Sequence, residues 1–293
     1  MTVADRPLVD HSFRVFDAHS HVNEMLYKRP LAGRSSGGGG GFDVEEDVKY
    51  RLGVMSRARV RACILMANHI YERPNGIADT RRMNDFVAWY RNSHRDLFPV
   101  AIAGVEPKYG VVVGVAEIHR IANELHLDGV VWHHHFHGTE IDDPRMFAFA
   151  EALGEHGLPA FLHFNGDSRH EMPGPLEPLA RAFPEVTFVA LSAMNQGNFL
   201  YEMRRIAERC PNVLFDTSFV RPIGRVVESF AAAFGASRLI YGSDLVPYAS
   251  AIYRIPPALV DIVESDRLSQ SDKRQILWGT AEQLFPALQS LNS

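Results

Sequence analysis

The sequence predicts an α/β fold, a single (β/α)₈ TIM barrel over residues 1–293, from three observations. Short apolar runs rich in β-branched and aromatic residues recur eight times, helix-like stretches separate them, and most runs are apolar at both parities. Apolar residues at both parities indicate strands buried on both faces, as in a parallel sheet. Eight alternating units in a chain of this length are typical of a barrel, and a doubly wound open sheet is the alternative.

Polar residues stand at the ends of several predicted strands. In chain order the runs are 14–19, 61–68, 98–105, 128–134, 158–164, 186–192, 212–218 and 238–244. The carboxyl ends of barrel strands share one rim, so side chains that end separate runs are predicted to meet there.

The stretches between the strands have helical periodicity. Residues 43–58 begin with Asp43 and an acidic first turn, which favours a helix N-terminus. In residues 142–157, Asp143 precedes Pro144 and Gly157 closes the stretch, a pattern of N-cap, first-turn proline and C-terminal glycine. Further helices are predicted at 79–94, 111–126, 197–210 and 222–235.

The composition limits the classes of partner. The net charge is -5, the isoelectric point is near 6.3 and no basic block stands out, so neither nucleic acid nor an acidic membrane surface is expected. No apolar run approaches the roughly 18 residues of a membrane span. The two cysteines, Cys63 and Cys210, are far apart and suit a reducing compartment. We therefore expect a cytoplasmic protein that acts on a small-molecule substrate.

Residues 33–43 form a glycine- and serine-rich run that follows the first strand. Such a composition cannot pack a core and predicts a flexible loop at the carboxyl rim. The loop is either a plain surface connection or a mobile lid over a pocket.

The first strand ends in Asp17, His19 and His21 at alternate positions. Side chains at i and i+2 of a strand face the same way, so the two imidazoles can converge on one ion. His163 ends the fifth run and Asp244 ends the eighth. Three histidines and one carboxylate on one rim form a donor set for a divalent ion, with Zn²⁺ expected first and Mn²⁺ or Fe²⁺ as alternatives.

With these residues laid out, the chain resembles the amidohydrolase superfamily, in particular the branch that contains aminocarboxymuconate-semialdehyde decarboxylase. The motifs are "FDAHSHV", "LHLDGVVWHHHFHG", "HGLPAFLHFNG", "CPNVLFDTS", "RLIYGSDLVPY" and "QILWGTAEQLF". The resemblance implies a metal-dependent enzyme of the barrel type in which His19, His21, His163 and Asp244 are the metal ligands. It also implies that Asp244 shuttles a proton for metal-activated water.

The sequence departs from this branch in the sixth strand, where Ser192 stands in place of the family's histidine. We therefore look for proton transfer elsewhere, in Asp244 or in the cluster "HHHFH", where strand parity favours His133 and His135 over His134. Ser192 can hold a water by hydrogen bonds, and Asn195 can bind a substrate carbonyl.

Three arginines follow strands and suggest a carboxylated substrate, because guanidinium groups pair bidentately with carboxylates. Arg221 follows the seventh strand most closely and is the preferred clamp, with Arg73 and Arg169 as alternatives.

Three functions remain open at this point. The first is a metal-dependent hydrolase of a small carboxylated or cyclic substrate such as a lactone or amide. The second is a non-oxidative decarboxylase of an aromatic or unsaturated acid, and the third is a non-catalytic ligand-binding relative. The resemblance also allows a homodimer.

Overall fold

The computed structural model describes residues 9–22, 44–67, 73–194, 197–218, 225–245 and 257–292. Its strands are β1 (Phe16–Asp17), β2 (Ala62–Cys63), β3 (Leu65–Met66), β4 (Ala101–Gly104), β5 (Val130–Trp132), β6 (Ala160–His163), β7 (Phe188–Leu191), β8 (Val213–Asp216) and β9 (Leu239–Ile240). β2 and β3 are the two halves of the second predicted strand, interrupted at Ile64. The eight predicted strands are therefore all present within the described residues.

β1 pairs in parallel with β2, and β3 to β9 pair in parallel one after another in chain order. The ring closes where the first strand meets the last. Ala18 N donates to Tyr241 O at 2.9 Å, and His21 N donates to Leu245 O at 2.9 Å. A closed ring is the predicted TIM barrel, and the open doubly wound sheet is excluded.

Helices follow the strands as predicted. They are α1 (Val44–Ala58), α2 (Ile77–Ser93), α3 (Val111–Arg120), α4 (His134–His137), α5 (Pro144–Glu155), α6 (Leu176–Ala182), α7 (Gly197–Arg209), α8 (Val226–Phe234), α9 (Pro257–Glu264), α10 (Gln270–Arg274) and α11 (Thr280–Leu284). Two π-helical turns cover Ile121–Leu125 and Gln275–Gly279, and short 3₁₀ turns cover Pro107–Tyr109, Arg169–Glu171, Ala236–Arg238 and Pro286–Asn292.

The caps of α5 confirm the reasoning from sequence. The Asp143 side chain accepts a hydrogen bond from Arg145 N at 3.0 Å, and Pro144 opens the helix. Gly157, just beyond the end, has a φ of 63°, which glycine adopts without steric cost.

The barrel interior is filled by apolar side chains, which leaves the polar residues at the carboxyl rim. Phe285, after α11, packs against Phe16 of β1 and Phe161 of β6, with ring centroids 6.3 Å apart in both cases. Trp132 of β5 stacks on Phe149 of α5 and ties that helix to the barrel wall. Among the described residues, no helix has both the length and the apolar composition that a membrane span requires.

Candidate metal centre

Three predicted ligand atoms converge where β1 and β9 end. His19 Nε2 lies 3.1 Å from His21 Nε2 and 3.2 Å from Asp244 Oδ1. The third side of the triangle, from His21 Nε2 to Asp244 Oδ1, measures 3.5 Å. Ligands that bind one ion at about 2.1 Å stand roughly 3.0–3.4 Å apart in octahedral or tetrahedral geometry. The triangle is therefore of the right size for one divalent ion.

The outer nitrogen of each predicted histidine ligand already has a partner. His19 Nδ1 donates to Asp216 Oδ2 at 2.6 Å, and His21 Nδ1 donates to Ala67 O at 3.0 Å. His163 Nδ1 donates to Glu171 Oε2 at 2.9 Å. A proton fixed on Nδ1 leaves the Nε2 lone pair for a metal, which is the usual arrangement around metal-binding histidines. The donor set thus fits a metal ion.

The position of Asp244 depends on a close approach between the first and last strands. A Cβ on Gly242 would lie 2.6 Å from His19 Cβ and 2.8 Å from Asp216 Oδ2, so only glycine fits there. The Asp17 carboxylate accepts hydrogen bonds from both the backbone N–H and the hydroxyl of Ser243. Asp17 therefore holds the loop before Asp244 in place and stabilises the candidate metal centre.

Asp244 itself has a φ of 56°, in the left-handed region that non-glycine residues rarely adopt. Such strain costs about 1–3 kcal/mol and persists only where surrounding contacts hold the residue. Here the Asp17–Ser243 contacts hold the preceding loop. The strained backbone directs the carboxylate of Asp244 towards the two histidines.

The electrostatics of this corner favour a positive charge. Burial alone would lower the pKa of His19, but the Asp244 and Asp216 carboxylates outweigh it and raise the pKa to about 10. Burial would raise the pKa of Asp244, yet His19, His21 and His163 lower it to about 2. Two carboxylates around a buried imidazole therefore form a site that retains a cation.

The fourth predicted ligand, His163, lies on the other side of the barrel mouth. Its ring stacks on His133 at 4.8 Å, and the His133 ring lies 5.3 Å from that of His21. A continuous row of imidazoles thus runs from His19 to His163. Among the described residues, the tight group of ligand atoms within 4.8 Å of one another contains His19, His21 and Asp244 but not His163.

The histidine cluster differs from the parity prediction. β5 ends at Trp132 and α4 begins at His134, so strand parity does not extend to His135. His133 is buried within the row of imidazoles, whereas His135 is exposed and its backbone N–H donates to Glu171 at 3.0 Å. The parity argument therefore does not apply to His135, because the chain becomes helical one residue earlier.

Ser192 lies on the Nδ1 side of His19, away from the three converging atoms. Its hydroxyl is 3.0 Å from Ser218 Oγ, and Ser218 Oγ is 3.2 Å from His19 Nδ1. Its backbone N–H donates to Asp216 Oδ1 at 2.7 Å. Ser192 also has a φ of 56°. These contacts give Ser192 a role in holding Asp216 and His19.

The structure describes two of the three arginines that were predicted to bind a substrate carboxylate. The Arg73 side chain is fully buried and pairs with Glu106 at 2.9 Å, so a carboxylate clamp at Arg73 loses its support. Arg169 is 82% exposed and pairs with Glu140. Arg221, Asn195 and the 33–43 loop lie outside the described residues.

Three supporting residues were missed from the sequence. Asp216 ends β8 and Glu171 lies eight positions after His163. The strand-end argument that selected Asp244 could have found Asp216 as well. Arg51 of α1 donates to Ser20 Oγ and His21 O, both at 2.5 Å, and pairs with Asp47 at 2.6 Å. No local pattern marks a helix residue that reaches the first strand in this way.

Comparison with known proteins identifies the family of the chain. The family model described as amidohydrolase (Amidohydro_2) matches residues 16–287. The chain is similar to a 5-carboxyvanillate decarboxylase from Novosphingobium aromaticivorans, solved with manganese and 4-hydroxy-3-methoxy-5-nitrobenzoic acid. The identity is 16%, the TM-score is 0.71, and 98% of this chain and 99% of that chain are covered.

Two further solved structures are similar over most of their length. One is the 5-carboxyvanillate decarboxylase from Sphingomonas paucimobilis, at 16% identity and a TM-score of 0.69, covering 94% of this chain and 99% of that chain. The other is the 2,6-dihydroxybenzoate decarboxylase from Rhizobium, at 17% identity and a TM-score of 0.66, covering 96% and 100%. No curated protein matches the sequence. Because the family model spans nearly the whole chain, this protein belongs to the amidohydrolase family.

Proposed function

We propose that this amidohydrolase is a metal-dependent, non-oxidative decarboxylase of an aromatic or unsaturated carboxylic acid. The observation that carries the proposal is the triangle of ligand atoms from His19, His21 and Asp244 beside the stacked imidazoles of His133 and His163. The similarity to decarboxylases of hydroxylated aromatic acids over 94–98% of the chain favours this reaction over hydrolysis.

His19, His21, His163 and Asp244 would hold the divalent ion. A bound ion of this kind acts as a Lewis acid that draws electron density from the oxygens of an acid substrate. Three similar structures contain manganese, so Mn²⁺ takes the place of Zn²⁺ as the first ion to test, with Zn²⁺ and Fe²⁺ next.

Decarboxylation requires one proton at the carbon that loses the carboxylate. The C–C bond breaks, CO₂ leaves, the electron pair stays on the ring carbon, and an acid supplies the proton. His133 is the candidate donor because it is buried and its ring adjoins those of both His21 and His163. An imidazole in this position can also take up the proton of a substrate hydroxyl.

The remaining buried groups orient these side chains. Asp216 and Ser218 fix the Nδ1 side of His19, and Ser192 binds both of them. Glu171 fixes His163 in the same way on the other side of the mouth. Substrate specificity would depend on loops outside the described residues, with Arg221 as the proposed clamp for a second carboxylate and Asn195 for a carbonyl.

A second candidate function is hydrolysis of a small lactone or amide, with Asp244 as the base. Ser192 favours it, because a serine in place of the sixth-strand histidine removes a group that decarboxylases of the resembled branch use. The low pKa of Asp244, which His19 and the neighbouring imidazoles hold down against burial, keeps it ionised for that role. The third alternative, a non-catalytic relative, would keep the metal ligands but would convert neither the aromatic acids nor the lactones and amides.

The test is a paired substrate screen with the Mn²⁺-loaded protein. One panel contains hydroxylated benzoates, including 5-carboxyvanillate and 2,6-dihydroxybenzoate, with release of CO₂ as the readout. The other contains lactones, esters and amides that carry a carboxylate. Turnover in the first panel that disappears in Asp244→Asn supports the proposal, and turnover confined to the second panel overturns it in favour of hydrolysis.

The Ser192→His variant separates the two chemistries further. If it gains decarboxylation of the benzoates, the wild-type site is a decarboxylase site that lacks one group. A loss of turnover in the variant means instead that Ser192 belongs to the working site as it stands.

A further inference from the structure

A second group of potential ligands lies on the outside of the barrel. His119 is in the last turn of α3, and Glu155 and His156 lie at the end of α5. The helices of a (β/α)₈ barrel run back from the carboxyl rim, so their C-terminal ends lie at the opposite face. This group is therefore separate from the candidate metal centre.

The three side chains offer ligand atoms that all lie within 4.8 Å of one another. His119 Nδ1 is 2.8 Å from His156 Nε2, and the two rings meet edge to face at 76°. Both histidines are half-buried and Glu155 is exposed. Partial exposure leaves room for water in the remaining coordination positions of an ion.

The two helices hold these residues in place through close packing. A Cβ on Gly114 of α3 would lie 2.4 Å from the ring of Phe149 of α5, so the glycine allows the helices to approach. The backbone N–H of His156 donates to Leu153 O at 3.1 Å and fixes the turn. The two imidazoles, 37 residues apart in sequence, are thus brought together by a rigid scaffold.

The spacing of the nitrogens selects the kind of ion. Two ligands at about 2.1 Å from a metal are about 3.0 Å apart at a right angle and about 3.4 Å apart in a tetrahedron. The observed 2.8 Å is closer to the right angle. Square-planar or tetragonal geometry with nitrogen and oxygen ligands suits Ni²⁺ or Cu²⁺.

We propose that His119, Glu155 and His156 form a second divalent-metal site, of the Ni²⁺ or Cu²⁺ type, that cross-links α3 to the end of α5. With no ion, one neutral imidazole donates to the other. An ion replaces that shared proton with two metal–nitrogen bonds and recruits the Glu155 carboxylate. The site stabilises the fold and stands apart from the reaction at the barrel mouth.

The experiment is a Ni²⁺ titration of untagged, chelator-treated full-length protein by calorimetry, with thermal unfolding measured in parallel. Wild type should bind one more Ni²⁺ per chain than His119→Gln. At saturation its Tm should rise by about 5 °C, and His119→Gln should lose that rise. Glu155→Gln should weaken Ni²⁺ binding at this site, since one oxygen ligand is lost.

His126→Asn is the matched control, because His126 is exposed, seven positions further on, and asparagine tolerates its left-handed backbone. His126→Asn should bind as many Ni²⁺ ions per chain as wild type and show the same rise in Tm. Equal Ni²⁺ stoichiometry and equal Tm shifts in wild type and His119→Gln would overturn the proposal and reduce the pair to a hydrogen bond. Either result leaves the metal content at the barrel mouth unaffected.

Discussion

The two sides of the barrel mouth are built from the same residue type but differ in charge. On the side of β1 and β9, His19 is surrounded by the carboxylates of Asp216 and Asp244, which raise its pKa to about 10 against burial. On the side of β5 and β6, Glu171 is shared between the His163 ring and the backbone of α4. There burial lowers the pKa of His134 to about 4.

This difference assigns the two sides different tasks. Carboxylates around a buried imidazole retain a cation, so the first side is suited to a metal ion. On the second side, burial keeps the His134 ring neutral even though the Glu171 carboxylate is nearby, and a neutral imidazole can accept a proton. His133 joins the two sides, because its ring adjoins both His21 and His163.

The His133→Asn variant tests most strongly whether the two sides of the barrel mouth have different tasks. If His133 transfers the proton, the variant should lose about 10²–10⁴-fold in kcat, while its Mn²⁺ content stays at the wild-type level. Steady-state kinetics and metal analysis on the same preparation check this. The exposed neighbour provides the control, since His135→Asn should retain a wild-type kcat. Equal kinetics in both variants would remove the proton-transfer role.

The rigidity of the metal side is tested by Arg51→Met. The guanidinium pairs with the fully buried Asp47 and donates to the first strand at Ser20 and His21. Removing one partner of a buried pair leaves an uncompensated charge, so the variant should lose about 3–5 kcal/mol in the free energy of unfolding. Urea denaturation measures the loss. Arg61→Met, at an exposed arginine, should change stability little, and equal effects at both positions would contradict the account.

Some of the side chains that hold the predicted metal ligands in place could not be predicted from the sequence. The eight strands, the cap at Asp143, and His19, His21 and Asp244 follow from local patterns and from the shared rim of barrel strands. Strand parity could not place His135, because parity holds only while the strand lasts and α4 begins at His134. Arg51 and Glu171 reach the site from a helix and a 3₁₀ turn, and their contacts depend on tertiary packing that no spacing encodes.

The neutral state of the buried His134 ring is tested through the pH dependence of stability. The His134 ring stays neutral when folded because burial lowers its pKa to about 4, whereas in the unfolded chain it takes a proton below about pH 6.5. The folded state therefore loses up to about 3 kcal/mol as the pH falls from 6.5 to 4. The His134→Asn variant should lack this part of the dependence of the free energy of unfolding on pH.

Urea denaturation at several pH values measures the difference between wild type and His134→Asn. That difference should shrink as the pH is lowered through this window, and His135→Asn serves as the exposed control. A difference that is constant with pH would mean that His134 is not buried as a neutral ring.

The smallest expected effect comes from Asp216→Asn. Partners that orient a metal-binding histidine usually contribute 10- to 100-fold in affinity, so the variant should bind Mn²⁺ weaker by about that factor. Electron paramagnetic resonance of free Mn²⁺ gives the Kd. Ser218→Ala removes a 3.2 Å contact to the same nitrogen and should cost less affinity. A larger loss in Ser218→Ala than in Asp216→Asn would reverse the roles given to the two side chains.

The most direct test of the central claim is the Mn²⁺ content per chain of wild type and of the His19→Asn/His21→Asn variant after chelation and reconstitution. Mn²⁺ is the right probe because it binds imidazole pairs such as His119 and His156 more weakly than Ni²⁺ or Cu²⁺ does. Circular dichroism establishes that the variant is folded. The account predicts about one Mn²⁺ per wild-type chain and none in the variant. A metal-free wild type, or a folded variant that retains its ion, would contradict it.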